Sequence, residues 1–104
     1  MAVINVIASI CVKTGSLADY LTVLKTNVPS VRKEEGCIEY IPMVDIDSKL
    51  LPQVFDKNVV TIFEKWASLG TLHAHLGSPH MTDYRDKVKI MVESVTVKVL
   101  QEVD

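Results

Sequence analysis

A predicted strand that ends at Trp66 and passes directly into a capped helix is the feature that most constrains how this sequence folds. β-branched and aromatic residues up to Trp66 predict the strand, because such side chains pack well on a pleated sheet. Ser68 is suited to cap the start of the following helix and Gly77 its end, with leucines at helical spacing between them. Alternation along the strand puts Glu64 on the same face as Trp66, so a carboxylate lies beside the only tryptophan.

The hydrophobic pattern predicts further elements on either side of that strand and its helix. They are strands at 3–12, 37–44 and 94–103, a helix from residue 17 that ends before Gly36, and a helix at 79–91. The order strand, helix, strand, strand, helices, strand is typical of a ferredoxin-like, split βαβ fold. The sequence therefore predicts a single α+β domain over residues 1–104, with a four-stranded antiparallel sheet and helices on one of its faces.

Two prolines and one long connection interrupt this pattern. Pro29 is expected to kink or restart its helix, and Pro42 indicates that the second strand lies at a sheet edge or carries a bulge. Strict alternation in that strand puts Ile38 on the same face as Tyr40. The connection at residues 45–58 is longer than a hairpin needs, so it is either a meandering surface loop or a flap over a site.

Charge and composition exclude several classes of protein. With 11 basic and 13 acidic residues and no basic cluster, the 104-residue chain has no surface suited to a phosphate backbone, so nucleic acid is not expected as a partner. The N-terminal segment lacks a signal-peptide pattern and is too short to span a membrane, which favours a cytoplasmic location. Cys11 and Cys37 lack the spacing of a metal site or a redox pair, so reduced thiols are expected.

The sheet face that points away from the helices is expected to be partly apolar. Val3, Ile7, Val59 and Phe63 alternate there with polar side chains. Because helices on one side leave the other face of a sheet open to water, such a patch predicts a partner. The expected partner is a second copy of the chain, related by a two-fold axis.

Three short motifs resemble those of the antibiotic biosynthesis monooxygenase superfamily. They are Glu34-Glu35-Gly36-Cys37 followed by Tyr40, Glu64-Lys65-Trp66, and His75-Leu76-Gly77-Ser78-Pro79-His80. Glu35 stands where the family usually has proline. The first motif, continued by Pro42-Met43-Val44-Asp45, is similar to the bacterial quinol monooxygenase branch of that superfamily.

The resemblance implies a dimeric α+β barrel that oxidises a quinol or a related polycyclic phenol with molecular oxygen. It also implies that no metal or organic cofactor takes part, and the sequence has no GxGxxG, P-loop, HExxH or GxSxG pattern. A quinol suits such an enzyme because, once deprotonated, it can reduce oxygen itself.

Three alternatives to this function stay open. The chain could be a non-catalytic dimer that binds quinones or other small ligands in a stress response, or an isomerase of the related dimeric barrels. The third alternative is a haem-degrading monooxygenase, a branch of the same superfamily. That branch needs an asparagine where this chain has Ala8, and Asn5 does not substitute because it lies on the opposite face of the strand.

His75 and Glu64 are the candidate catalytic residues. The neutral imidazole of His75 is suited to take a phenolic proton near pH 7. A carboxylate in a dry cavity has a raised pKa, so Glu64 could accept that proton instead. Either side chain also has an ordinary structural interpretation as a hydrogen-bonded core residue.

Four further residues are candidates for binding the substrate: Trp66, Tyr40, His80 and Tyr84. Trp66 is either an aromatic wall that stacks on a planar ring or a large core anchor, and the two interpretations are compatible. The tyrosines could point a hydroxyl into a cavity, and His80 begins the helix after a Ser-Pro pair. The remaining histidine, His73, is expected to face solvent, and the three histidines are not expected to form a metal site.

Overall fold

Four strands and three helices follow one another in the predicted order, in a computed structural model that describes residues 2–104. They are β1 (Ile4–Val12), α1 (Leu17–Arg32), β2 (Cys37–Val44), β3 (Val59–Trp66), α2 (Leu69–Leu76), α3 (Pro79–Val88) and β4 (Val92–Leu100). The α+β, ferredoxin-like architecture is confirmed. Several ends differ from the prediction by two or three residues, which is ordinary because terminal turns and strand ends are the least regular parts of an element.

The four strands form one antiparallel sheet in the order β2-β3-β1-β4. Burial alternates along β1 and β3, so each strand turns every second residue toward the helices. In β1 these residues are Val6, Ala8, Ile10 and Val12, and in β3 they are Val60, Ile62, Glu64 and Trp66. The predicted faces of both strands are therefore confirmed, and Asn5 lies on the face opposite Ala8, as expected.

Helix α1 covers the sheet with a stripe of fully buried side chains, among them Tyr20, Leu24 and Val31. The expected restart at Pro29 does not occur, because α1 continues from Leu17 to Arg32 with the proline inside it. Pro29 is exposed, so water can bond to the backbone carbonyl that loses its helical partner.

Strand β2 lies at a sheet edge, as Pro42 indicates, but its bulge lies elsewhere. Cys37 pairs with Trp66 and Glu39 with Lys65, so Ile38 is an extra residue without a partner on β3. The expectation that Ile38 shares a face with Tyr40 is wrong for this reason. Ile38 is 52% exposed, while Tyr40 is buried.

The connection between β2 and β3 is an irregular surface segment without a helix or strand of its own. Polar contacts within the segment hold it in shape. The Gln53 amide donates to the carbonyl of Ile46 at 2.6 Å, and the backbone N–H of Asp56 donates to the Asp45 carboxylate at 2.9 Å. The segment is therefore an irregular surface loop in this chain, and a role as a flap stays a prediction.

Across the described part of the chain, no helix combines the length and the apolar character needed to cross a membrane.

The turn into β2 is locked against the start of α2. Gly36 has a φ of +82°, in the left-handed region, and its carbonyl accepts a hydrogen bond from Ala67 N at 2.8 Å. A Cβ added to Gly36 would lie 2.5 Å from the Thr71 side chain. Thr71 forms a reciprocal capping box with Ser68 at the N-terminus of α2, so it has little freedom to move.

We expect Gly36→Ala to destabilise the fold by more than Gly15→Ala. Gly15 has a similar φ of +88°, so both variants share the conformational cost of about 1–2 kcal/mol for a side chain in the left-handed region. The space around the Cβ position of Gly15 is open. Only Gly36→Ala adds the clash with Thr71, worth roughly 1–3 kcal/mol. Urea unfolding of the two variants measures the difference, and equal losses would contradict the packing described here.

Candidate active site

A cavity of about 540 Å³ opens between the sheet and helices α2 and α3. Its walls are mainly apolar, with Val6, Ala8 and Ile62 from the sheet and Leu72, Met81 and Val88 from the helices. Six polar side chains also line it: the buried Tyr40, Glu64, His75 and Tyr84, and the exposed Arg85 and Lys89. A concave, apolar space with a few fixed polar groups is the usual form of a site for a small organic molecule.

Glu64 and Trp66 are neighbours because residues two apart on a strand share a face. The indole N–H of Trp66 donates a hydrogen bond to the Glu64 carboxylate at 3.0 Å. Burial raises the pKa of Glu64 above its usual value, while the hydrogen bond from Trp66 opposes that shift. Trp66 has no exposed surface and lies behind Glu64 rather than on the cavity wall.

His75 is held on α2 with its two ring nitrogens directed at two carboxylates. Its Nδ1 lies 2.8 Å from Glu34 Oε2, and its Nε2 lies 3.9 Å from Glu64 Oε1. A carboxylate only accepts hydrogen bonds, so Nδ1 carries the proton that it donates to Glu34. The lone pair is then on Nε2, beside Glu64.

Aromatic rings on two strands fix the plane of the His75 imidazole. The ring centroid of Trp66 lies 4.6 Å away at a tilt of 33°, and that of Tyr40 lies 5.7 Å away, edge to face. His75 is only 2% exposed, and burial lowers its pKa, an effect that the Glu34 carboxylate partly opposes. The imidazole is therefore neutral at pH 7 and able to accept a proton.

Glu34 is the residue of this site that the sequence did not single out. It lies in the turn between α1 and β2, and the same carboxylate oxygen that bonds to His75 lies 2.9 Å from His80 Nε2. His80 does not line the cavity, and its side chain is about one-third exposed. The structure thus places His80 beside Glu34 and outside the cavity, and a role in substrate binding stays a prediction.

Glu34, His75 and His80 are also the residues that could hold a metal ion, since one ligand atom from each lies within 4.8 Å of the others. Their distances fit hydrogen bonds better. Two ligands on a tetrahedral ion are roughly 3.3 Å apart, given metal–ligand distances of about 2.0 Å. The nitrogen–oxygen distances here are 2.8 and 2.9 Å, which are those of charge-assisted hydrogen bonds.

The two tyrosines of the cavity are hydrogen-bond donors. Burial raises the pKa of both Tyr40 and Tyr84, so both hydroxyls stay protonated. The Tyr84 hydroxyl shares a hydrogen bond with that of Tyr20, a buried residue of α1. His73 is exposed, as expected.

The fold, the cavity and these side chains define the class of protein. The chain belongs to the antibiotic biosynthesis monooxygenase family, whose sequence model matches residues 3–87. One relative in that family is the protein named probable quinol monooxygenase YgiN of Escherichia coli K12. It is 40% identical to this chain over 74 residues, which are 71% of each sequence. The protein of the same name from Shigella flexneri matches to the same extent.

Solved structures share this fold over nearly the whole chain. Rv0793 from Mycobacterium tuberculosis superposes with a TM-score of 0.83 at 26% identity, covering 99% of this chain and 97% of that one. A conserved protein from Methanosarcina mazei has a TM-score of 0.85 at 21% identity, covering 99% and 95%. The arrangement of sheet and helices is therefore common to archaeal and bacterial proteins of low identity.

We expect Glu34→Gln to lower the pKa of His75 further below 6.5, because the variant removes the negative charge that favours the imidazolium. Titration of the His75 ring by NMR measures the shift. Glu35→Gln is the matched control, since Glu35 is adjacent but exposed and makes no such contact. A pKa of His75 that is unchanged or higher in Glu34→Gln would contradict the bond between these side chains.

Proposed function

We propose that this protein is a cofactor-independent monooxygenase that oxidises a quinol or a related polycyclic phenol with molecular oxygen. The observation that carries the proposal is the unprotonated Nε2 of a buried, neutral His75 on the wall of an apolar cavity. This nitrogen lies 3.9 Å from Glu64 Oε1. The relative named probable quinol monooxygenase supports the choice of a quinol.

The cavity suits a flat aromatic molecule of two or three rings. Its volume of about 540 Å³ lies within the usual range for small-molecule sites, and its walls offer apolar contact to the faces of a ring system. Polar groups are confined to few positions, so a ligand with one or two hydroxyls would be oriented by them. Glu64, His75 and Tyr40 adjoin one another and form one such position.

The proposed first step is removal of a phenolic proton. A substrate oxygen about 2.8 Å from both His75 Nε2 and Glu64 Oε1 fits between two atoms that are 3.9 Å apart. The O–H bond breaks, its proton bonds to Nε2, and the electron pair stays on the substrate oxygen. Glu34 stabilises the imidazolium that forms, through its bond to Nδ1.

The resulting quinolate is the reductant, and molecular oxygen is the oxidant. A ring carbon of the quinolate forms a bond to one oxygen atom, the O–O bond breaks, and the other oxygen atom leaves as water with two protons from the quinol. The ring supplies all four electrons and becomes a hydroxyquinone, so the protein supplies a base, an orientation and a site with little water. The side chains need not change oxidation state. Burial raises the pKa of Glu64, so its carboxyl group is better suited than an exposed one to pass a proton to reduced oxygen.

We expect His75→Gln to lower the turnover of menadiol by roughly 10²- to 10⁴-fold, the usual contribution of a general base. Glutamine can still donate to Glu34 but has no basic nitrogen, so menadione binding should change much less than turnover. Oxygen uptake, corrected for autoxidation, and calorimetric titration with menadione give the two numbers. His73→Gln, an exposed histidine on the same helix, is the control.

The proposal also predicts that kcat/KM falls on the acid side, below pH 6.5, because only neutral His75 accepts the proton and burial lowers its pKa.

Full turnover in His75→Gln would indicate that Glu64 is the base. Binding of menadione without oxygen uptake by the native protein would favour the quinone-binding alternative. Loss of activity on EDTA treatment, restored by one metal, would replace the cofactor-independent mechanism.

We also propose that the protein is a homodimer that buries the open face of the sheet. Ile41, Phe63 and Ile7 lie opposite one another on β2, β3 and β1, so they form a continuous apolar row across that face. Met43 and Val3 extend it and are 47% and 41% exposed. A second copy related by a two-fold axis would place the same row against itself.

Phe63→Lys should dissociate this dimer, because it places a charge at the centre of the apolar row. Sedimentation velocity at micromolar concentration distinguishes the two states. Ile90→Lys is the control, since Ile90 is 70% exposed but lies in the turn before β4, away from the row. A native protein that sediments as a monomer would rule out the homodimer.

A further inference from the structure

The cavity is incomplete on the side of β4. Val95, Val97 and Val99 line it and pair with Ile10, Ala8 and Val6 of β1. The three β1 residues are at most 7% exposed because helices cover them, whereas the three β4 valines are 54%, 55% and 50% exposed. The helices therefore stop short of β4 and leave an apolar strip of the cavity wall open to water.

The connection between β2 and β3 exposes large apolar side chains to water. The β4 side of the cavity lacks such a cover. The exposed large residues of the connection are Ile46, Leu50, Leu51, Val54 and Phe55. Leu51 is completely exposed and Val54 is 87% exposed. One exposed leucine on a surface is ordinary, but five large apolar residues within ten positions mark a contact site.

Polar side chains of this segment point inward and hold it in shape. Gln53 accepts from the backbone N–H of Ser48 at 3.1 Å and donates to Ile46, while Asp45 accepts from Asp56. The apolar residues are thus presented on a shaped loop rather than on a free chain, which reduces the conformational entropy lost on docking.

We propose that residues 46–55, here called the apolar arm, pack against the β4 valines of a second copy and close its cavity. This inference rests on the homodimer of the proposed function. Each site would then be built from two chains, with the sheet, the base and the helices from one protomer and the lid from its partner.

The sheet order explains why the arm covers the partner's cavity rather than its own. The arm joins β2 to β3, and β4 is the opposite edge of the same sheet, roughly 10–14 Å away at the usual strand spacing. When two sheets face each other across a two-fold axis parallel to the strands, β2 of one protomer lies over β4 of its partner. The arm then has to pass only around the β4 edge of the partner's sheet to reach the partner's cavity.

The arm and the β4 valines also lie at the same end of the sheet. Val12 N donates to the carbonyl of Asn58, and Lys13 N to that of Met91, each at 2.8 Å, so the end of the arm and the start of β4 flank the end of β1. A two-fold axis parallel to the strands preserves the strand direction. The arm of one protomer therefore arrives where β4 of its partner begins, close to Val95.

Disulfide trapping tests the contact without reference to any activity. In a Cys11→Ser/Cys37→Ser background, Leu51→Cys and Val97→Cys are made in separate chains, unfolded together, refolded as a mixture and oxidised. We expect a covalent dimer in the mixture, detected on a non-reducing gel, and little in either variant alone. Leu69→Cys with Val97→Cys is the matched control, because Leu69 is also half exposed but begins α2.

Two results of the trapping experiment would overturn the proposal. One is a mixture that gives no more covalent dimer than the Leu69→Cys control. The other is a monomeric disulfide formed efficiently in a single chain that carries both Leu51→Cys and Val97→Cys, since the arm would then cover its own cavity.

Complementation tests whether the arm completes the site. Leu50→Ser/Leu51→Ser removes the arm contact, and His75→Gln removes the base. When the two variants are mixed in equal amounts and exchange subunits, half of the dimers contain one chain of each variant. Each mixed dimer holds one complete site, with the base from the arm variant and the arm from the His75→Gln chain. Menadiol turnover should then rise to about a quarter of the native value, above either variant alone.

The two experiments separate failure of the proposed function from failure of this inference. If the native protein shows no turnover but Leu51→Cys is trapped efficiently with Val97→Cys, the proposed enzyme activity is rejected and the contact of the apolar arm is supported. If the native protein turns over menadiol but complementation and trapping both fail, the contact of the apolar arm is rejected and the proposed enzyme activity is supported.

Discussion

The bond between Glu34 and His75 determines how the rest of the site is arranged. It joins the turn before β2 to helix α2, two parts of the chain that are 41 residues apart. It orients the imidazole, fixes the proton on Nδ1 and leaves Nε2 bare beside Glu64. The close approach of Gly36 to Thr71 allows these two segments to pack together, so a residue without a side chain helps to set where His75 lies relative to Glu34.

Much of this arrangement follows from the sequence because it is local. Alternation in β3 fixes Glu64 and Trp66 on one face, and the cap residues Ser68 and Gly77 bound α2 as predicted. Glu34 could not be identified in the same way. The family motif separates Glu34 from Glu35, which stands where the family usually has proline, but only the tertiary contact with His75 shows what the Glu34 carboxylate bonds to.

Two further differences arise from packing between elements. The bulge at Ile38 changes the expected faces of Cys37 and Ile38 at the start of β2, and a single sequence carries no signal for a residue that its partner strand skips. Similarly, alternation predicts which face of β4 the valines occupy but not whether anything covers them. Residue type does not predict the depth of a side chain either: Trp66 is completely buried, and His80 lies outside the cavity.

The bulge has one more consequence, which concerns chemical durability. It turns Cys37 toward the core, where burial and the nearby carboxylates of Glu34 and Glu64 raise the pKa of its thiol. Quinones are electrophiles that add to thiolates, and a thiol kept protonated is a poor nucleophile. Cys37 is therefore less reactive than an exposed cysteine toward the quinone that the proposed reaction would form.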